Sequence, residues 1–234
     1  MSTFTWFSGR SPALTEQQIE RRQQLAETST LDERPLQQQR FVVLDLETTG
    51  LNMRRDQVLS IGAVVIDNGA IDLGQLFECT LQRDGHQASA STLIHGIAPS
   101  EIAKGEEPAE ALLAFMEFVG DSPLLAFHAE FDQRMLARAL KQSLGYRLQH
   151  GFFDVAEIAP LLCPKASPNL HGLDGWTQHF GLQVLQRHHA SADALVTAEL
   201  ALILFSKARQ QGIDSLPALQ QQLNSRRRQR AHSI

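Results

Sequence analysis

The stretch FVVLDLETTGL, Phe41 to Leu51, constrains this chain more than any other. An apolar run, Phe41 to Leu44, enters it, and Asp45 and Glu47 interrupt the run with one residue between them. In a strand the side-chain period is two, so both carboxylates leave one rigid backbone on the same side. Two carboxylates held a few ångströms apart repel each other and resist burial. A bound divalent cation removes both problems. Thr48, Thr49 and Gly50 then turn the chain out of the strand. The question for the rest of the sequence is where further ligands come from.

Composition bounds the answer. A chain of 234 residues suits one good-sized domain with appendages. A hydrophobic content of 43% with 20% charged residues describes an ordinary globular protein. No apolar run approaches the roughly 20 residues of a membrane span, and MSTFTWFSGR lacks the marks of a signal peptide. Cys79 and Cys163 are the only cysteines, so the expectation is a reduced, cytoplasmic protein without a disulfide framework. The net charge of −5 is unevenly spread. Between Phe41 and Asp214 there are 12 basic and 21 acidic residues, whereas the last 20 residues carry Arg226, Arg227, Arg228 and Arg230 and no acid. An acidic core with a basic tail fits a metal enzyme that meets a polyanion, and many unrelated proteins too.

Three regions are expected: an N-terminal extension and linker over residues 1–38, a catalytic-type domain over 39–214, and a basic tail over 215–234. Thr15 followed by EQQIERRQQLAE reads as a short capped helix with a thin stripe of Ile19 and Leu25, and Pro35 to Gln39 as a linker. Trp6 and Phe7 read as docking side chains. Gln57 to Asp67 and Ala70 to Leu81 read as strands joined by a tight Asn68-Gly69 turn, an antiparallel meander with the acidic strand. Helices are predicted over Glu106–Val119, Phe131–Leu144, Asp154–Leu162, Leu170–Phe180 and Ser191–Gln211, and a short buried strand over Pro123–Phe127. The helix from Ser191 is nearly all apolar and must pack centrally. The expected class is a mixed α/β sheet covered by helices.

Two places offer the missing ligands. Asp132 ends HAEFD, where a buried strand gives way to a helix whose N-terminus favours a carboxylate; a plain helix cap would look the same. RHHASADA supplies His188 and Asp193, with Asp193 on the first turn of the apolar helix, where a charge is costly unless paired. His189 is as plausible a histidine by composition, and only the spacing to Asp193 separates the two.

The order D-x-E, then F-D about 85 residues on, then H-x4-D about 55 further, resembles the DnaQ-like DEDDh 3′–5′ exonuclease superfamily. The likeness extends to LDLETTGL, TLIHGI, AFHAEFD and RHHASADA and covers roughly residues 40–212. It implies a ribonuclease-H-like, five-stranded mixed sheet flanked by helices. It also implies that Asp45, Glu47, Asp132 and Asp193 hold two Mg²⁺ or Mn²⁺ ions, and that His188 takes the proton from the attacking water. By the same likeness Thr48, Thr49, Leu51, His95 and Ile97 line a pocket for the terminal nucleotide. The implied reaction releases nucleoside 5′-monophosphates from single-stranded or frayed 3′ ends, of DNA or of RNA, with a polymerase or other protein partner reached through the tails and no membrane.

One departure stands out: where the family often has His-Asn before Ala-x-Phe-Asp, this chain has Phe127-His128. His128 is therefore either part of the nucleotide pocket or a structural residue. Arg134, Arg138 and Lys141 share a helical face that suits a phosphate backbone or plain solvent. Asp154 suits a supporting role or a helix N-cap. His86, His150, His171 and His179 have no carboxylate at ligand spacing and read as structural or exposed. RNA-end trimming, and a non-catalytic nucleic-acid or polymerase-binding module on the same fold, are the rival functions.

Overall fold

The computed structural model describes residues 13–28, 30–85, 91–166, 170–184 and 186–231. Trp6, Phe7 and His86 lie outside them. The elements in chain order are α1 (Glu16–Gln24), a 3-10 turn (Leu36–Gln38), β1 (Phe41–Thr48), β2 (Val58–Asp67), β3 (Ala70–Thr80), α2 (Thr92–His95), α3 (Pro99–Ile102), α4 (Pro108–Val119), β4 (Leu124–Ala126), α5 (Ala129–Leu144), β5 (Phe152–Asp154), α6 (Val155–Leu162), α7 (Gly172–Phe180), α8 (Ala190–Gln210) and α9 (Leu216–Ala231). No helix among the described residues is long and apolar enough to cross a membrane.

One five-stranded sheet, in the order β3-β2-β1-β4-β5, organises these elements. β1 pairs antiparallel with β2, and parallel with β4, which pairs parallel with β5. The expected mixed α/β sheet is therefore present. Its fifth strand, Phe152–Asp154, was absent from the strand pattern because three residues are too few to show a period.

Side-chain alternation along β1 sends Phe41 and Val43 into one core and Val42, Leu44 and Leu46 into the other. The first core lies under α6, α7, α8 and α9, and the second under α4 and α5. Asp45 and Glu47 continue the Phe41-Val43 series, so they point toward the α8 side. α8 presses close because Gly62, opposite Asp45 in the β1–β2 register, has no side chain. A Cβ there would lie 2.1 Å from the Ala190 carbonyl carbon and the Ser191 nitrogen.

Both flanking segments are built onto the domain. α1 has the expected capping box, with Thr15 accepting from the Gln18 N–H. It is fastened to α4 mainly by polar groups: Gln18 Nε2 donates to Glu110 at 2.8 Å, and Arg21 takes both carboxylate oxygens of Glu117 at 2.8 Å. Ile19, expected in its apolar stripe, is exposed instead, while Leu14 and Leu25 pack on the second core. Pro35 to Gln39 is more than a linker, since Leu36 is buried in the first core and Pro35 bridges to Ser215. What reads as a loose basic tail is the helix α9, held by buried Leu216, Leu219 and Leu223. Those three leucines are sparse among Gln and Arg, so the stripe is visible only once its partner surface is known.

Candidate active site

The site lies at the carboxyl ends of β1, β4 and β5, the usual ligand position in sheets with parallel strands. Just past Glu47 the β1–β2 register slips, pairing Glu47 with Ser60 but Thr48 with Val58. This bulge turns the chain away directly behind the carboxylates. Asp45, Glu47 and Asp193 each offer an oxygen within 4.8 Å of the other two. Asp193 reaches them from the first turn of α8 and is 4% exposed. Asp132, also 4% exposed, sits in the first turn of α5 outside that 4.8 Å group. The backbone N–H of Leu46, the residue between Asp45 and Glu47, favours the ionised form of Asp132. β4 stops at Ala126, short of this level of β1.

Charge crowding at this spot is severe. Burial, then the charges of Asp132, Glu47 and Asp193, push the Asp45 carboxyl well above the usual range. Burial and then Asp193 raise Glu47 to about 8. Burial likewise raises Asp132 to about 8, against the pull of two backbone N–H groups. Among the described residues the cation in contact is Arg187, which ion-pairs with both Asp193 and Asp174. A set of hard oxygen donors, converging from three elements and under-neutralised, fits a divalent cation of the Mg²⁺ or Mn²⁺ type.

His188 lies on the loop before α8 in a left-handed conformation, φ 60°. Its N–H donates to Asp193 Oδ2 at 3.1 Å, which clips the loop to the helix and leaves the imidazole exposed. The structure separates it from its neighbour: His189 is hydrogen-bonded to Ser191 and lies 3.4 Å from Glu78 on the edge strand β3. Asp154 has a double role, its Oδ1 accepting from the His128 N–H at 3.0 Å and the Ala156 N–H at 2.9 Å. It caps α6 and also fixes the turn that launches α5, and hence Asp132. His128 holds a second left-handed position, φ 65°, with its ring edge-on to Phe127.

Among the expected pocket residues, Thr48 donates to Gly50 O at 2.9 Å, and Thr49 Oγ1 accepts from the Gln57 N–H at 2.9 Å. Ser91 donates to Thr49 O at 3.1 Å, drawing α2 to this turn. His95 is buried and accepts the Ile97 N–H at Nδ1 over 3.0 Å. Leu51 is 84% exposed, and two apolar side chains of α2 that the sequence does not single out are exposed as well, Leu93 at 90% and Ile94 at 59%. An exposed leucine in a helix of four residues carries no periodic signal.

Residues 42–201 match the family described as Exonuclease. The chain belongs to the exonuclease family. This places it in the DnaQ-like 3′–5′ exonuclease superfamily that its motifs resemble. Among the relatives of this exonuclease-family chain, DNA polymerase III PolC-type of Thermotoga maritima is 31% identical over 180 residues, 77% of this chain and 13% of the relative. The DNA polymerase III subunit epsilon-like protein of Rhodobacter capsulatus is 31% identical over 194 residues, 82% of this chain and 27% of the relative. The chain thus spans about an eighth to a quarter of these relatives' length. In fold it is similar to E. coli Exonuclease I in complex with a dT13 oligonucleotide, with a TM-score of 0.62 and 19% identity over 74% of this chain and 42% of that one. It is also similar to the cell-death related nuclease CRN-4, with a TM-score of 0.64 and 14% identity over 72% and 64%.

Proposed function

We propose that this exonuclease-family chain is a metal-dependent 3′–5′ exonuclease that hydrolyses phosphodiester bonds at single-stranded or frayed 3′ ends of DNA, releasing nucleoside 5′-monophosphates. The observation that carries the reading is the convergence of Asp45, Glu47, Asp132 and Asp193, from β1, α5 and α8, at one end of the sheet. These four carboxylates would hold two Mg²⁺ or Mn²⁺ ions. When bound, such ions stabilise charge on the phosphoryl oxygens and acidify water.

The chain's own groups then have distinct work. His188, exposed on its clipped loop, takes a proton from the attacking water at an imidazole nitrogen, a task suited to a histidine at neutral pH. Asp193 sets that loop through the His188 N–H. Thr48, Thr49, His95, Ile97 and His128 line the terminal-nucleotide pocket, and exposed Leu51, Leu93 and Ile94 supply apolar faces for bases. The two relatives described above are DNA polymerase III proteins, which favours DNA over RNA and a polymerase partner.

The test is a time course on 5′-labelled single-stranded DNA and RNA of equal sequence, with Mg²⁺ or Mn²⁺. The wild type should give a descending ladder, faster on DNA. Asp45→Ala should abolish it, and His188→Ala should slow it by about 10²–10⁴, while His189→Ala stays within a few-fold of wild type. Equal loss in the two histidine variants would remove His188 from its role. No ladder on either substrate would overturn the enzymatic reading and bring the binding module forward.

A further inference from the structure

On the α5 side of the sheet two arginines face one another, with no counter-ion among the described residues. Arg83, just beyond β3, directs Nε and Nη2 to the single carbonyl of Val58, at 3.0 and 2.7 Å. Arg138, on α5, lines the same small cavity of 20 Å³, together with Gln57, Val58, Met135 and Gln142. Its Nε is shielded from solvent and, among the described residues, has no hydrogen-bond acceptor, while its Nη2 reaches Met135 Sδ at 4.0 Å. Among the described residues neither arginine forms an ion pair. Arg134, which shares the helix, is taken by Glu130.

This pairing is unfavourable as it stands. A guanidinium is a permanent cation with donors only, so a shielded donor without an acceptor costs free energy. Burial and the charge of Arg138 both lower the pKa of Arg83. The cavity adjoins a crevice of 790 Å³ that shares Gln57, Arg83, Gln142 and Ser143 with it. The acids on the far wall of that crevice are engaged elsewhere: Glu110 by Arg21 and Gln18, and Glu107 by Gln18 and the Glu110 N–H. Asp84, the remaining acid, is exposed beside Arg83.

Location points to the ligand. Gln57 O accepts the Thr49 N–H at 2.9 Å, so the cavity begins where the chain leaves the acidic strand. Arg138 is six residues beyond Asp132 on one helix, about 9 Å along its axis. The cavity thus lies at the end of the sheet that carries the carboxylates.

We propose that Arg83 and Arg138 form an anion subsite that grips a backbone phosphate of the nucleic-acid strand upstream of its 3′ terminus. This rests on the nuclease reading above. The class of ligand is a phosphodiester, with free phosphate as the alternative source of the same chemistry.

Arg138→Gln is the variant of choice, because Arg83 also braces Val58. All measurements use the full chain in EDTA, so none depends on turnover. In phosphate-free buffer the variant should melt about 2 °C higher than wild type, since it loses an uncompensated cation. Its affinity for a fluorescein-labelled oligo(dT) should fall, and the slope of log affinity against log salt should shrink by about 0.7, one phosphate contact on a single strand. A lower melting midpoint makes Arg138 structural and overturns the proposal, as does an unchanged salt slope. Stabilisation of wild type by inorganic phosphate with an unchanged oligonucleotide slope assigns the cavity to free phosphate instead. Wild type that binds no oligonucleotide also overturns it. The ladder assay judges the nuclease reading separately.

Discussion

Replacing Asp45 with Asn keeps the shape of the side chain and removes one charge from the acidic cluster. Asp45, Glu47 and Asp193 have oxygens within 4.8 Å of each other. At that distance a fully ionised pair repels by about 3.5 kcal/mol if the effective dielectric constant is about 20. Protonation, which the raised carboxyls favour, and Arg187 on Asp193 both relieve part of this. A realised gain of about 1–2 kcal/mol near neutral pH is the consequence, or roughly 3–6 °C in melting midpoint for a domain of this size. Asp45→Asn should therefore be the more stable protein without metal, although inactive.

The gain should also depend on pH in a defined direction. Asp45 has a folded pKa raised above its unfolded value, so the native state holds its proton more tightly. Such a group supports the fold at low pH and loses that support as pH rises from its unfolded pKa through its folded one. The amide that replaces it does not titrate, so the advantage of the variant should widen as pH rises out of the ordinary carboxylate range. Glu47, raised to about 8, keeps a residual slope in both proteins. Urea unfolding in EDTA across this range is the assay, repeated with millimolar Mn²⁺. Metal should stabilise wild type more than the variant, because only a species bound preferentially by the native state shifts the equilibrium. A variant less stable than wild type at the alkaline end, or a gap that closes with pH, would refute the picture of an under-neutralised carboxylate cluster.

Gly62→Ala should cost at least about 3 kcal/mol, because the new methyl meets the backbone of Ala190 and Ser191, which cannot yield as a side chain would; a urea midpoint within error of wild type would mean that α8 does not press on β2. Asp154→Ala removes the acceptor of two backbone N–H groups and should lower stability by about 1–2 kcal/mol. The same change should weaken metal affinity about 10–100-fold by loosening the turn that carries Asp132, read by Mn²⁺ calorimetry. Leu219→Ala, at a fully buried position of α9, should cost about 2–5 kcal/mol in thermal or urea unfolding; a change below about 0.5 kcal/mol would mean that α9 does not hold the first core together.

The acidic strand, the meander and the candidate ligands are legible in the sequence for a common reason. Each is a local pattern with its own period or spacing: the two-residue alternation that puts Asp45 and Glu47 on one side, the Asn68-Gly69 turn, the charge of Asp193 on the first turn of a largely apolar helix. The two adjacent histidines differ in the sequence only by their spacing to Asp193, and the fold adds what each one touches. His189 is engaged with Ser191 and Glu78, whereas His188 is clipped by its backbone to Asp193.

Features that depend on partners distant in the chain emerge only from the packed molecule. β5 is too short to carry a period and exists because β4 offers it an edge. α9 has only three buried leucines, and its place depends on the core beneath it. Gly62 looks like any glycine in a strand until α8 is laid across it. Asp132 is brought near Asp45 only by the packing of α5 at the end of β4. Arg83 and Arg138 lie 55 positions apart and became a pair only when α5 packed against β2. Local patterns fix which side chains share a face, but close approach, shielding and missing counter-charges arise from packing between elements, and no short window of sequence contains them.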